Sequence, residues 1–382
     1  MRILLNEMKK IFHPIMLLIA ILINVLMYNL FIDIHISNFL DDPSGKSIYR
    51  IGIEMIEKYG HELDEHEFAD FKLVYQQEVK KADKWIQENQ ELSDLGIASY
   101  KEFREVDIDI NSDFEKVRYK IVKGIDLFRE IPLRESIIER MEFLEERYGY
   151  SRISGTPTKE QELRIKEVVG SRAVNSFLPD LVQFNFFEIS KGIMITILVS
   201  VLFIVSPIFI KDYKNKLVSL QYTSAVGRSL FKWKVAAGLL SAFIITTVQI
   251  IVYYSIYSTI DIGMFLKSGV NSFMGSLYWY DVTFLQLIMV TLALTYVLAL
   301  SVALMAIVVS SICKNYISII GIQLPIFVII CFLVLNGYLL SQAFYLYRSQ
   351  LMVAALYSVI VFLPLIATFW KWRREKKQDI LY

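Results

Sequence analysis

Residues 283–312 read TFLQLIMVTLALTYVLALSVALMAIVVSSI, a run without a single charged residue. About 20 apolar residues in a helix are enough to cross the hydrocarbon core of a bilayer, which is about 30 Å thick. This run is longer than needed, so we expect the helix to tilt or to emerge from the bilayer at one end. The stretch therefore predicts a membrane-spanning helix.

Five other runs along the chain have the same apolar character. The chain has 382 residues, of which 55% are hydrophobic, and its mean hydropathy is +0.44. A soluble protein of this length would be less apolar. The predicted fold class is an all-α membrane protein with six transmembrane helices, five of them in a domain over 188–370. The predicted spans are 15–36, 188–210, 235–259, 283–312, 316–340 and 350–370.

Lysine and arginine residues concentrate in every second connection between these spans. They precede the first span, fill the connection after the second and follow the sixth, whereas the opposite connections carry few. Basic segments stay in the cytoplasm, which predicts that both termini are cytoplasmic and that residues 37–187 lie outside. The two cysteines, Cys313 and Cys331, lie within or beside apolar runs. The outer domain thus needs no disulfide, which favours a bacterial plasma membrane.

The two ends of the chain are polar segments in their own right. Residues 1–14 place most apolar side chains near one helical face, which predicts a cytoplasmic interfacial helix that turns into the membrane at Pro14. The run at 15–36 is too long for the apolar core of a signal peptide, so we interpret it as a retained helix. Residues 371–382 are interpreted as a basic cytoplasmic tail.

Residues 37–187 hold most of the acidic residues of the chain. Apolar residues recur there at three- and four-residue steps, which predicts a mainly helical domain inserted between the first and second spans. Ser44–Ser47 ends like a phosphate-binding loop, but Leu40 stands where that motif needs glycine. His61 and His66 are five residues apart, whereas zinc-binding histidines of a helix are four apart. We therefore predict no catalytic, metal or cofactor site and no enzyme activity of the chain by itself.

Polar side chains within the predicted spans are few, and none at mid-depth is Asp, Glu, Lys or Arg. A carrier driven by protons or ions usually needs such a residue, so energy for transport would come from a partner. Four amide side chains are candidates either for a translocation path or for hydrogen bonds between helices. They are Gln249, Gln286, Gln323 and Asn336.

The connection between the second and third spans is the segment that is most informative about function. Residues 211–234 read KDYKNKLVSLQYTSAVGRSLFKWK. The segment begins polar and basic, brings Leu217, Val218 and Leu220 close together, and turns near 224–227. This pattern predicts a short surface helix that offers an apolar ridge to a cytoplasmic partner. The alternative is a basic loop held to anionic lipid, which needs no partner.

This segment resembles the one that follows the second span in permease subunits of ABC-2-type ABC transporters. The matching positions are Asp212, Leu217, Leu220, Thr223, Ser224, Gly227, Arg228 and Lys234. Asp212 stands where the family usually has glutamate, and Ser224 where it has proline. The layout of six spans with an outer domain after the first is similar to the subgroup of sodium-, drug- and peptide-exporting permeases.

The resemblance implies that residues 211–234 form a coupling loop that docks on a separate ATPase subunit. The residues implied to contact that ATPase are Asp212, Leu217, Leu220, Thr223, Gly227 and Arg228. Two ATPase copies would hold ATP and magnesium, and this chain would bind no cofactor itself. A second permease chain, identical or homologous, would complete an exporter of a peptide, a drug-like molecule or an ion. Apart from these subunits the predicted partner is the lipid bilayer, and net charge indicates no nucleic acid.

Two other classes of protein fit parts of the sequence. A membrane sensor or assembly protein would bind a ligand or partner through residues 37–187, and the size of that domain favours it. The short tail after Trp370 is against it, because it leaves no room for a cytoplasmic output domain. A membrane-embedded enzyme finds no support, since no acid, histidine or cysteine pair lies at mid-depth.

Overall fold

The computed structural model describes residues 2–39, 41–106, 112–143, 157–214 and 227–377. Within these ranges the regular structure is helical and the only β-pairing consists of isolated bridges. Six helices there are long and apolar enough to cross a membrane, which confirms the predicted number. The first to sixth apolar helices are, in order, Pro14–Phe31, Asp180–Val205, Leu230–Tyr257, Phe284–Ile312, Tyr316–Leu335 and Gln350–Lys377.

The second apolar helix departs most from its predicted bounds, 188–210. It begins at Asp180, because two further helical turns, which include the polar residues Asp180, Gln183 and Asn185, precede the uninterrupted apolar run. At its other end the α-helix stops at Val205, and a 3-10 turn over Ser206–Ile208 leads into the short helix Ile210–Lys214. Pro207 lies in this turn and has no N–H for a regular helical hydrogen bond. Hydropathy located the apolar run but not these helix ends.

The chain divides into two compact units. The helical unit comprises Met1–Ile36, Phe186–Asp261 and Leu287–Tyr382. The polar unit comprises Ser37–Asn185 and Ile262–Gln286. The second of these polar segments lies outside the predicted inserted domain, 37–187, and follows the third apolar helix.

The polar unit is built mainly of helices, as predicted. They are Pro43–Tyr59, Glu65–Gln87, Gln90–Asp94, Tyr100–Glu105, Ser112–Gly124, Asp126–Glu142 and Lys159–Gly170. Phe103, Phe114 and Phe128 pack at the centre of an apolar core between several of them. Thr158 and Gln161 form a capping box at the start of Lys159–Gly170. Pro132 lies inside Asp126–Glu142, whose first turn begins at Asp126.

Residues 262–286 are integrated into the polar unit rather than forming a plain connection. The Ser272 hydroxyl donates to the carbonyl of Ser176 (2.7 Å), and Gln183 Nε2 donates to the carbonyl of Val270 (2.9 Å). Phe273 is fully buried there. The segments that follow the first and third apolar helices thus share one folded unit. Helices that cross a bilayer in alternating directions bring these two segments to the same side.

The first residues form an amphipathic N-terminal helix, Arg2–Ile11, within the predicted range 1–14. A new helix begins at Pro14, and His13 caps it by accepting a hydrogen bond from the N–H of Ile15 (3.4 Å). The buried residues of the N-terminal helix are Ile11 and, unexpectedly, Glu7. Its location at a membrane surface stays a prediction.

Candidate functional site

The two described ends of the 211–234 segment carry buried charges that contact each other. Lys234 Nζ lies 2.5 Å from Asp212 Oδ2 and 3.2 Å from Glu7 Oε2. The side chains of Lys234, Asp212 and Glu7 are 2%, 4% and 5% exposed. Lys10 Nζ adds contacts to Glu7 Oε1 (2.7 Å) and Asp212 Oδ1 (3.1 Å). We call Glu7, Lys10, Asp212 and Lys234 the ion-pair clamp.

The backbone around Pro207 supplies a further contact for the clamp. The Asp212 N–H donates to the carbonyl of Phe209 (3.1 Å), three residues back rather than the four of an α-helix. The carbonyl of Ile208 is thereby released, and Lys234 Nζ donates to it (2.9 Å). The ammonium group also lies 4.9 Å from the ring centre of Phe209. These contacts compensate Lys234 for the hydration that it loses on burial.

The N-terminal helix is joined to the same region through its last turn. Pro14 has no N–H to donate to the carbonyl of Lys10, and Lys211 Nζ donates to that carbonyl instead (2.7 Å). Burial by itself would lower the pKa of Lys10. The hydrogen bonds and charges of Glu7 and Asp212 outweigh it and raise the pKa above its ordinary value. Lys10 therefore remains an ammonium group at neutral pH.

The clamp combines two carboxylates with two ammonium groups, so its formal charges cancel. Removing one partner of such a buried pair is strongly unfavourable, because it leaves a charge without compensation. The clamp joins three elements: the N-terminal helix, the short helix Ile210–Lys214 that follows the second apolar helix, and the beginning of the third apolar helix. As a result, the two ends of the 211–234 segment are fixed to each other and to the N-terminal helix.

The residues expected to contact an ATPase are located only in part. Asp212 is engaged inside the clamp, and Gly227 is buried and begins a 3-10 turn, Gly227–Ser229, that contains Arg228. The other three, Leu217, Leu220 and Thr223, lie outside the described residues. The contacts with an ATPase stay a prediction.

The four candidate amides occupy two kinds of position. Gln286 caps the fourth apolar helix by accepting from the N–H of Thr283 (2.9 Å), and Asn336 donates to the carbonyl of Phe332 (2.9 Å) at the end of the fifth. Gln323 and Gln249 are buried between helices. Gln323 accepts from the hydroxyl of Ser206 (2.7 Å) and donates to the carbonyl of Ala306 (3.2 Å). Gln249 joins a polar cluster with Asn24, Ser200 and Tyr253.

Glu7 and Lys10 of the clamp were not among the predicted site residues, because charged residues of an amphipathic helix usually face water. One signal was present. Glu7 is the only acid before Asp33, and Asp212 is the only acid between Glu188 and Asp261. Two isolated acids in otherwise basic flanks indicate a specific partner. Asn24 lies within the first predicted span and was not considered among the polar candidates.

No group of three or more His, Cys, Asp or Glu side chains in the described ranges is arranged to hold a metal ion. Comparisons with protein families, with curated proteins and with solved structures find no match for this chain.

Proposed function

We propose that this chain is the permease subunit of an ATP-driven exporter of the ABC-2 type. Six apolar helices, an additional polar unit and a basic segment after the second helix support this function. In this arrangement both termini and residues 211–234 are cytoplasmic, and the polar unit lies on the outer side of a bacterial plasma membrane. A separate ATPase subunit, present twice, would bind ATP and magnesium. A second permease chain would complete the path for a peptide, a drug-like molecule or an ion.

The ion-pair clamp is the observation that carries the proposal. A coupling loop must pass a displacement of the ATPase to the membrane helices, and a loop with loose ends would absorb that displacement. Here Asp212 and Lys234, at the two ends of the segment, form an ion pair, and Lys234 also pairs with Glu7. A force applied between them therefore reaches the N-terminal helix and the second and third apolar helices together.

Co-purification with the ATPase tests this function. The chain is expressed with an ABC ATPase encoded beside its gene and purified in detergent, and the ATPase content and ATP hydrolysis are measured. We expect a stable complex that hydrolyses ATP. Leu220→Glu and Arg228→Glu in the coupling loop should each reduce the retained ATPase at least about tenfold, since each places the wrong charge or polarity at a docking surface.

Lys191→Met is the matched control for these variants. Lys191 pairs with Glu188 (2.5 Å) at the opposite end of the second apolar helix, far along the chain from the coupling loop. Its variant should retain the ATPase. The proposal fails if no ATPase co-purifies with the intact chain, or if both loop variants bind it as the parent does.

A further inference from the structure

A cavity of 480 Å³ lies between the fourth, fifth and sixth apolar helices of the helical unit. Its lining is apolar apart from the hydroxyl of Ser301, which donates to the carbonyl of Val297 (2.7 Å). Ile329, Val359 and Leu363 belong to this lining and are 60%, 61% and 64% exposed. The cavity is thus open along the side where these residues lie, and in a membrane this side faces lipid.

The cavity is elongated along the helices. On the sixth helix its lining extends from Met352 to Pro364, a rise of about 18 Å. A volume of 480 Å³ spread over this length describes a slot rather than a round pocket. Half of the hydrocarbon core of a bilayer is about 15 Å thick, so the slot is about as long as the acyl chains of one leaflet. An extended aliphatic chain therefore fits the slot.

The slot exists because the sixth helix packs little of its apolar surface on its neighbours. Only 6% of the most apolar window of this helix is buried. The Tyr357 hydroxyl ties the helix to the carbonyl of Leu339 (2.5 Å), and Pro364 is buried at the far end of the slot. An apolar gap that stayed empty would leave the side chains around it without dispersion contacts. A hydrocarbon chain restores these contacts.

One end of the slot lies beside an isolated cation. The lining begins at Met352, two residues into the sixth helix, and at Leu333, two residues from the end of the fifth. Arg348 precedes Met352 by four residues and is exposed, and its guanidinium lies 5.4 Å from the ring centre of Tyr338. It is the only charged residue in the sequence over 315–370. A cation without a neighbouring acid in the sequence thus lies where two apolar helices reach the headgroups of a bilayer.

We propose that the slot binds an acyl chain of a phospholipid whose phosphate pairs with Arg348. The apolar lining holds the chain, and the guanidinium complements the charge of the phosphate. A ligand with polar groups along its length is disfavoured, because the lining would remove their hydration without replacing it. In the orientation proposed above, this lipid belongs to the outer leaflet.

Two lipids that differ only in the phosphate headgroup test the site. The full chain in detergent is equilibrated with equal amounts of palmitoyl-oleoyl-phosphatidylglycerol and palmitoyl-oleoylglycerol, which has the same two chains and no phosphate. After size exclusion, the lipids in the peak of the chain are extracted and counted per chain by mass spectrometry. We expect the phospholipid to be retained with a preference of about tenfold over the neutral lipid, an effect of about 1.4 kcal/mol.

Three variants separate the cation from the shape of the slot. Arg348→Gln should abolish the preference, mainly by reducing the retained phospholipid. Ala355→Trp places an indole ring in the slot and should remove most of both lipids. Ala354→Trp adds the same ring at an exposed neighbouring position outside the lining and should retain both lipids as the parent does.

The proposal is overturned if the parent retains the two lipids equally, or if Arg348→Gln leaves the preference intact. It is also overturned if Ala355→Trp retains as much lipid as Ala354→Trp. A dimer that Ala355→Trp dissociates while the bound lipid stays unchanged would assign the slot to a second copy of the chain instead. The measurement uses no ATPase, so its outcome is independent of the proposed coupling.

Discussion

At the scale of single residues, Lys234 is the most deeply buried charged residue of the clamp. Its ammonium group is buried between Asp212, Glu7 and the carbonyl of Ile208. Lys234→Met leaves two buried carboxylates with Lys10 alone, and we expect it to destabilise the chain by about 3–5 kcal/mol. This effect is measured as a decrease in the apparent Tm in detergent. The Tm is determined from the loss of monodisperse protein on size exclusion.

Adding Asp212→Asn to Lys234→Met provides the internal control. The double variant retains the pair of Glu7 with Lys10 and has no excess buried charge. We expect its apparent Tm to lie above that of Lys234→Met alone, because residues of one charge network are not additive. Asp212→Asn alone is measured as well. If the decrease in Tm of the double variant equalled the sum of the decreases of the two single variants, the clamp would not be a coupled network.

Asp126 gives a pH-dependent effect in the polar unit. A hydrogen bond from Arg50 (2.8 Å), aided by the charges of Arg50 and Arg129, holds the pKa of Asp126 below its ordinary value. Its stabilisation is therefore complete above the unfolded-state pKa of about 3.9 and is lost as the pH falls through the folded-state value. The side chain is half exposed, so the effect at pH 7 should be below about 1 kcal/mol.

Asp126→Asn compared with the parent chain measures this effect. The variant should have the lower apparent Tm at pH 7, and the two Tm values should converge as the pH falls through the lowered folded-state pKa, below which the carboxyl is neutral in both states. Asp94→Asn, at an exposed position, is the control and should show no such convergence. A gap for Asp126→Asn that persists at low pH would show that its cause is not the charge.

At the scale of helices, close packing of the first and second apolar helices depends on Gly192. A Cβ at this position would lie 2.7 Å from the carbonyl oxygen of Phe31, and backbone cannot move aside as a side-chain end can. We expect Gly192→Ala to destabilise the chain by about 1–3 kcal/mol. Gly321→Ala in the fifth apolar helix meets nothing within 4 Å and should be neutral. The prediction is tested by comparing the thermal unfolding of the two variants. Equal Tm values would contradict this packing.

At the scale of helices, one part of the fold could be predicted from the sequence and another part could not. Apolar runs identified the six long helices, because hydropathy over about 20 residues depends on local composition alone. It could not identify residues 262–286 as part of the polar unit, since Phe273 and Ser272 gain their meaning only from contacts with residues 174–178. The clamp could not be predicted from the sequence for the same reason. Asp212 and Lys234 matched a motif, but Glu7 joins them through helix packing that no local pattern encodes.

At the scale of the whole molecule, the two units constrain how the chain crosses a membrane. Residues 37–185 and 262–286 fold together, and the N-terminal helix, residues 206–214 and the start of the third apolar helix meet at the clamp. Six helices that cross the membrane in alternating directions are consistent with both the shared polar unit and the clamp. The distribution of basic residues predicts that the clamp side is cytoplasmic.

Cysteine labelling in intact cells tests this topology. In a chain with Cys313 and Cys331 replaced by alanine, single cysteines are placed at the exposed positions 101, 267, 9 and 376. A membrane-impermeant maleimide should label positions 101 and 267 in intact cells, and positions 9 and 376 only after permeabilisation, which also controls for reactivity. Different labelling of positions 101 and 267 would contradict the shared polar unit. Uniform reversal would keep the fold but place residues 211–234 outside the cell, and this would contradict their proposed contact with an ATPase.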